Sequence, residues 1–296
     1  MAAGEADAPV GGRKAILCAD DFAMTDGISA GIAELAAAGR LSATGALVTS
    51  RRWRDHAPGL AALRPRLAIA LHFNLTLGQP LGPMPCLAPS GTFPAVGTLL
   101  GRCLAGRLDE AELAGEIRRQ LDVFEDALRH PPDMVDGHQH VHVFPQVRRT
   151  LLRVLTERYP EAKPLLRDVA DTPAAIIARG TAIPKALGLA ILSAGFGARA
   201  RALGFPTNKG FSGVSTFDER VPCARELQRF FRRPGPLHLV MCHPGYPDDE
   251  LDRIGLLVAR RERELETLRD DPDLPARIRR PRRDQAGRIV WNMADA

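Results

Sequence analysis

Short, compact apolar runs recur along the chain, and each gives way to a longer segment whose apolar residues return every three to four positions. The first run, Ala15-Ile-Leu-Cys-Ala19, has the make-up of a strand buried on both faces. A helical pattern follows over about residues 27–38 and is closed by Gly39. The pair repeats as strand 42–48 with helix 54–63, and strand 67–71 runs out into His72-Phe-Asn74. Residues 78–94 are rich in Pro and Gly. They are too long for a plain connection and read as a lid or substrate loop. Asp109 caps an amphipathic helix that reaches Leu128. A strand carrying histidines follows, then helix 146–158, strand 164–167 and a helical region over 184–203. Residues 205–215 are Gly-rich and irregular. Helix 219–232, strand 237–241, helix 248–269 and a last strand near 288–291 complete the order.

Strand and helix alternating over the whole length predict a parallel sheet with crossover helices. Seven or eight such units favour a closed or nearly closed barrel over an open doubly wound sheet. The first strand runs into Ala19-Asp20-Asp21-Phe22-Ala23 and not into a Gly-rich phosphate turn, which disfavours nucleotide binding of that kind. No repeat or linker divides the chain. Residues 1–12 read as a loose leader and residues 13–296 as one domain.

Composition alters this picture little. A 45% hydrophobic and 25% charged content is ordinary for a globular domain. The net charge of +5 is carried almost wholly by arginine, with only four lysines, and a compositional bias explains it as well as an anionic partner does. The run Arg277-Ile-Arg279-Arg280-Pro-Arg282-Arg283 has no nucleic-acid motif or aromatic interleaving beside it. It reads as a solvated tail, and no nucleic-acid partner is expected. Glu262, Glu264 and Glu266 among Arg260, Arg261, Arg263 and Arg269 read as a salt-bridged surface face. Five cysteines without C-x-x-C spacing fit free thiols in a reducing compartment, Cys18 and Cys242 as core packing. The most apolar run, Ala186 to Ala198, is 13 residues, short of the ~20 that span a bilayer. With no export signal, a cytoplasmic location is expected; a homodimer is left open.

The polar residues fall in a pattern. Asp20-Asp21, His72, His138 and His243 each lie just past the end of a different expected strand, and in a (β/α) barrel those ends gather at the catalytic rim. Each has a plain alternative: an N-cap and turn, a packing histidine, the closure of a Pro-Gly turn. Four such coincidences on one rim outweigh them. In an extended segment Asp136, His138, His140 and His142 would share a face, as in a divalent-metal site. Three ligands from one strand would span ~13 Å, too far for a single ion. His140 is therefore read as near the site, His142 as structural, and Asp136 as a carboxylate that orients a ligand imidazole.

Cys18-Ala-Asp20-Asp21-Phe22, Ala70-Leu71-His72-Phe-Asn-Leu-Thr76, Asp136-Gly-His138-Gln-His140-Val-His142 and Met241-Cys-His243-Pro-Gly245 resemble, in order, the motifs of the YdjC-like carbohydrate deacetylases (the ChbG/HpnK family), the chitooligosaccharide deacetylases among them. The resemblance runs from about Lys14 to Arg269. It implies a distorted, incomplete (β/α) TIM-like barrel of the glycoside hydrolase/deacetylase type, holding one divalent ion. It also implies Asp21, His72 and His138 as ligands, Asp20 as general base and His243 as general acid. The resemblance points to Mg²⁺, whereas histidine ligation suits Zn²⁺ by softness. Ala23 stands where the family usually has Gly, and Gly137 where Ser is common.

Amide hydrolysis fits such a site, because a bound divalent ion brings the pKa of water from 15.7 towards ~7–9. The implied substrate is an N-acetylated amino sugar, first a short chitooligosaccharide such as diacetylchitobiose. A lipid- or nucleotide-linked acetamido sugar is second. Asn74, His140 and Arg167 are candidate ring contacts, and loop 78–94 a wall of the cleft. A metal-dependent phosphoesterase or amidohydrolase is less favoured, since those enzymes usually carry H-x-H on the first strand. A non-catalytic glycan-binding protein is disfavoured because every proposed catalytic position holds a competent residue.

Overall fold

Seven strands form one sheet: β1 (Ile16–Phe22), β2 (Ala43–Ala46), β3 (Ala68–Phe73), β4 (Met134–Gly137), β5 (Leu165–Leu166), β6 (Phe211–Ser212) and β7 (Leu239–Cys242). They come from a computed structural model that describes residues 13–218, 220–255 and 258–291. The leader expected over residues 1–12 lies outside the described residues. All pairings in the sheet are parallel, in the order β5-β4-β3-β2-β1-β7-β6. Every residue of β1, β2, β3, β4 and β7 is buried, as strands covered on both faces require.

Around the sheet lie α1 (Asp26–Ala37), α2 (Trp53–Leu63), α3 (Val96–Leu104), α4 (Glu110–Leu128), α5 (Pro145–Arg158), α6 (Pro173–Arg179), α7 (Ile183–Leu192), α8 (Phe196–Ala202), α9 (Cys223–Phe230), α10 (Asp249–Ile254), α11 (Val258–Asp270) and α12 (Leu274–Arg277). Side chains cap several of them. Thr25 accepts from Ile28 N–H, Asp109 from Glu112 N–H and Asp248 from Leu251 N–H. The barrel is incomplete, as expected. Its edge strands β5 and β6 are two residues each, and a single bridge, Leu166 to Thr207, spans the gap between them.

The structure departs from the sequence reading where glycines and arginines act at a distance. The helical region 184–203 is two helices: the first closes on Ser193, and Gly195, at φ 79°, turns the chain as the N-cap of the second. The helix expected over 248–269 is likewise divided into α10 and α11 after Gly255 (φ 70°). The last strand joins a small antiparallel hairpin, β8 (Arg282–Arg283) with β9 (Ile289–Val290), outside the main sheet. Loop 78–94 is tied to α4. Glu112 accepts from the Cys86 and Leu87 N–H groups at 2.6 and 3.0 Å, and Glu116 from Leu81 N–H at 3.1 Å. These bonds fasten the loop to the helix.

The arginine run is no solvated tail. Arg279 is buried and donates to the carbonyls of Lys14 and Pro236, and Arg283 grips both oxygens of Asp133 at 2.8 Å. These bonds strap the C-terminal segment to the starts of the strands, opposite the ends that carry Asp20, Asp21 and His72. All five cysteines are free, with Cys18 and Cys242 buried in the core. Among the described residues, no helix is long and apolar enough to cross a membrane.

Candidate metal centre

Register brings the candidate residues together. Ala19 sits level with Cys242 and Thr44, and His72 sits level with Asp136, so the chain leaves β1, β3, β4 and β7 at one rim. Asp21, His72 and His138 each offer a ligand atom, and these atoms lie within 4.8 Å of one another. Asp21 Oδ1 is 2.9 Å from His138 Nδ1 and 3.4 Å from His72 Nε2. All three side chains are buried. Asp21 takes φ 72° at the end of β1, an unusual turn that swings its carboxylate away from that of Asp20. His72 fits because β2 carries Gly45 beside it; a Cβ there would stand 2.9 Å from His72 Nδ1.

His138 reaches this place by a route the sequence does not reveal. β4 stops at Gly137, and residues His138–Val143 wind into a 3-10 segment with Gln139 and His140 in left-handed conformation (φ 51° and 61°). The three histidines therefore do not share a strand face. His142 is fully buried with Nε2 2.8 Å from the Arg167 carbonyl, a structural role as expected. A Cβ on Gly137 would crowd His142 at 2.9 Å, so glycine suits this turn where serine is common in the family. Ala23 takes φ 70°, a conformation that glycine enters more readily.

The donor set fits a divalent ion. His138 Nε2 is buried without a hydrogen-bond partner, while His72 Nδ1 lies 2.6 Å from Asp136. A carboxylate behind the ligand imidazole fixes its tautomer and orientation, the arrangement usual for metal-bound histidine. Burial disfavours ionised Asp21, but the Arg261 guanidinium and then His138 outweigh it and hold its carboxyl well below the usual range. His72 is pushed up to about 10: burial works the other way, but the Asp136 and Asp20 carboxylates prevail. Two carboxylates thus draw positive charge into a buried pocket.

Asp20 stands beside this group, and both its oxygens accept from Arg167, at 2.6 and 2.7 Å. The same guanidinium lies 2.5 Å from Asp136. Here the structure corrects an expectation. Arg167 is completely buried and spans two carboxylates, so it cannot reach a sugar; it positions Asp20 and Asp136. Asn74 is corrected too. Its amide donates to Thr49 Oγ1 and the Leu77 carbonyl, and its Oδ1 accepts from the Thr76 and Leu77 N–H groups, which ties down the start of the loop. Of the expected ring contacts, His140 alone keeps an unpartnered ring nitrogen, Nδ1, and it packs edge-on against Phe211.

His243 follows β7, its N–H donating to Glu264 at 2.7 Å and its ring edge-on to Phe217. Burial pushes its pKa down, against the opposing pull of Asp21 and Glu264. Two further residues escaped the sequence reading. Arg261 and Glu264 read as part of a salt-bridge-laced helix face, and both do form ion pairs, but buried ones that reach the site. Arg261 donates to Asp21 Oδ2 at 2.6 Å, and Glu264 receives both the His243 N–H and Arg260 Nε. The signal was there. Arg261, Leu265 and Leu268 stand at i, i+4 and i+7, one face of α11.

The profile of the YdjC-like protein family matches residues 14–278. A chitooligosaccharide deacetylase of Proteus mirabilis (strain HI4320) is 37% identical over 137 residues, 45% of this chain and 51% of that one. A chitooligosaccharide deacetylase of Klebsiella pneumoniae subsp. pneumoniae is 36% identical over 140 residues, 46% and 52% of the two chains. The chain thus spans about half the length of the curated relatives it matches. Among solved structures, a protein of Enterococcus faecalis V583, proposed to cleave cellobiose phosphate, covers 96% of this chain and 98% of its own. Its TM-score is 0.66 at 21% identity, which shows a shared fold. No observation supports a homodimer.

Proposed function

This chain belongs to the YdjC-like family, and from that premise we propose that it is a carbohydrate deacetylase, a metal-dependent hydrolase that removes the N-acetyl group from an amino sugar. One observation carries the proposal: a carboxylate and two imidazoles converge within 4.8 Å beside a second, separately held carboxylate. Asp21, His72 and His138 would hold the ion. When bound, a divalent cation supplies a Lewis acid that acidifies water and polarises an amide carbonyl. Mg²⁺ is the first assignment by family resemblance and Zn²⁺ the second by ligand softness.

The remaining chemistry belongs to the side chains. Asp20 accepts the proton of the attacking water, and the Arg167 fork fixes where its oxygens point. His243, on a different strand, returns a proton to the leaving amine. His243 takes that proton from solvent, its lowered proton affinity making the charged form a strong donor, and the proton gained by Asp20 leaves to solvent at the end of the cycle. The products are acetate and a free amino sugar. A short chitooligosaccharide is the first substrate choice and a lipid- or nucleotide-linked acetamido sugar the second, with His140 as the ring contact.

The test is acetate release from diacetylchitobiose, set beside UDP-linked and polyprenyl-linked N-acetylglucosamine, with metal-reconstituted protein. Asp20→Asn, whose amide cannot accept the proton, serves as the blank and should lose ~10²–10⁴ in rate while keeping its metal. Acetate from none of the three refutes the amino-sugar assignment. Undiminished release by Asp20→Asn removes Asp20 from the base role.

A further inference from the structure

Helix α7 is apolar almost throughout, reading Ile-Pro-Lys-Ala-Leu-Gly-Leu-Ala-Ile-Leu, and not one of its residues is buried. A helix that is hydrophobic on all sides normally lies inside a protein or a membrane. Ala186, Leu189 and Leu192 rest against the core on the inner face, Leu187 and Ala190 are half-buried, and Ile191 is turned away from it. Ile191 is 76% exposed and Ile177, on α6 next to it in the chain, 58% exposed. Among the described residues three large hydrophobic side chains are at least 58% exposed, and two of them belong to this one insertion between β5 and β6.

Charge identifies what covers it. Residues 172–217 contain no Asp or Glu at all, in a chain with 35 of them, but hold Arg179, Lys185, Arg199, Arg201 and Lys209. Arg179 is buried and paired with Asp171; Lys185, Arg199, Arg201 and Lys209 are exposed. An exposed apolar helix inside an acid-free, basic stretch matches a surface that is greasy within and negative at its boundary. At ~1.5 Å per residue the helix is roughly 15 Å long, half the ~30 Å of a bilayer core, so it can lie in the interface but not cross it.

We propose that α7 is a docking element that seats the protein on an anionic lipid surface, with Ile191 entering the acyl boundary and exposed cations of the same stretch meeting the headgroups. The location matters for the site. Lys185, in the first turn of α7, donates to the Ser215 carbonyl and lies 4.7 Å from the Phe217 ring, and Phe217 packs edge-on against His243. The docked face thus begins two side chains from the proposed catalytic histidine.

The experiment is co-sedimentation of the full chain with vesicles of phosphatidylcholine alone or with phosphatidylglycerol added, at low and high salt. Binding is expected to the anionic vesicles and to weaken with salt. Ile191→Asp should reduce it roughly ten- to hundredfold, since an exposed apolar anchor becomes a charge, and Arg199→Glu should reduce it less. Leu104→Asp, at another strongly exposed apolar site, on α3, should leave it unchanged. Absence of binding to either vesicle overturns the proposal, as does binding that Ile191→Asp leaves intact. So does a solution dimer that Ile191→Asp dissociates, because a second copy is then the occupant. The readout does not depend on the substrate, so a failed acetate assay and a failed docking assay stay distinguishable.

Discussion

Replacing Arg167 by methionine removes the guanidinium that bridges two buried carboxylates. Its guanidinium nitrogens stand 2.5 to 2.7 Å from oxygens of Asp20 and Asp136, and none of the side chain is exposed. Burial disfavours its charge, yet Asp136 and Asp20 push its pKa well above the usual arginine value. Methionine fills much of the space but takes the guanidinium from both Asp20 and Asp136, which leaves the His72 imidazole beside Asp136 as their nearest positive partner. Breaking a buried pair in this way costs ~3–5 kcal/mol. For a domain of this size each kcal/mol lowers Tm by about 2–4 °C, so the midpoint should fall by roughly 6–20 °C. Arg167→Lys keeps the charge without the fork and should fall in between. The assay is thermal unfolding by circular dichroism at pH 8 and pH 5. Without the cation, the buried carboxyls bind protons more tightly in the folded state than in the unfolded one, so the deficit should shrink at pH 5. A midpoint within about 2 °C of the parent, or a deficit that ignores pH, refutes the clamp.

Two further outcomes follow from the geometry. Gly45→Ala places a Cβ 2.9 Å from His72 Nδ1, so the ring must yield and loosen its bond to Asp136. It should cost ~1–3 kcal/mol in stability and weaken divalent-ion binding at least about tenfold in an equilibrium titration, and unchanged affinity speaks against His72 as a ligand. His238, on the far side from the metal centre, is held near a pKa of about 3 by burial and then by Arg179. Because the folded value is depressed, stability is whole above the unfolded value near 6.5 and is lost as pH falls, by about 2 kcal/mol at pH 5. His238→Asn should flatten the denaturation midpoint between pH 7 and pH 5 by that amount, and a variant with the parent's slope removes His238 from the explanation.

The rim was legible because each of its residues follows an apolar run, and such runs end where a barrel's strands end. Asp20, Asp21, His72, His138 and His243 all came from that rule. Direction was not legible. Arg167 and Asn74 stand at the rim, but one turns down between carboxylates and the other back into its own loop. Alternating histidines imitate a strand, so the turn after Gly137 stayed hidden; Gln139 and His140 carry no glycine to announce a left-handed backbone. In α11, dense charge masked the face that carries Arg261 to Asp21. A composition of mixed charge resembles a solvated helix until long-range partners supply its counter-ions.

The most direct measurement is the metal content of the reconstituted protein and of His138→Ala, by elemental analysis on folded material. With Asp21, His72 and His138 as the ligands, the parent should hold about one divalent ion per chain and the variant close to none, with the circular dichroism spectrum kept. Full occupancy in a folded His138→Ala contradicts the centre.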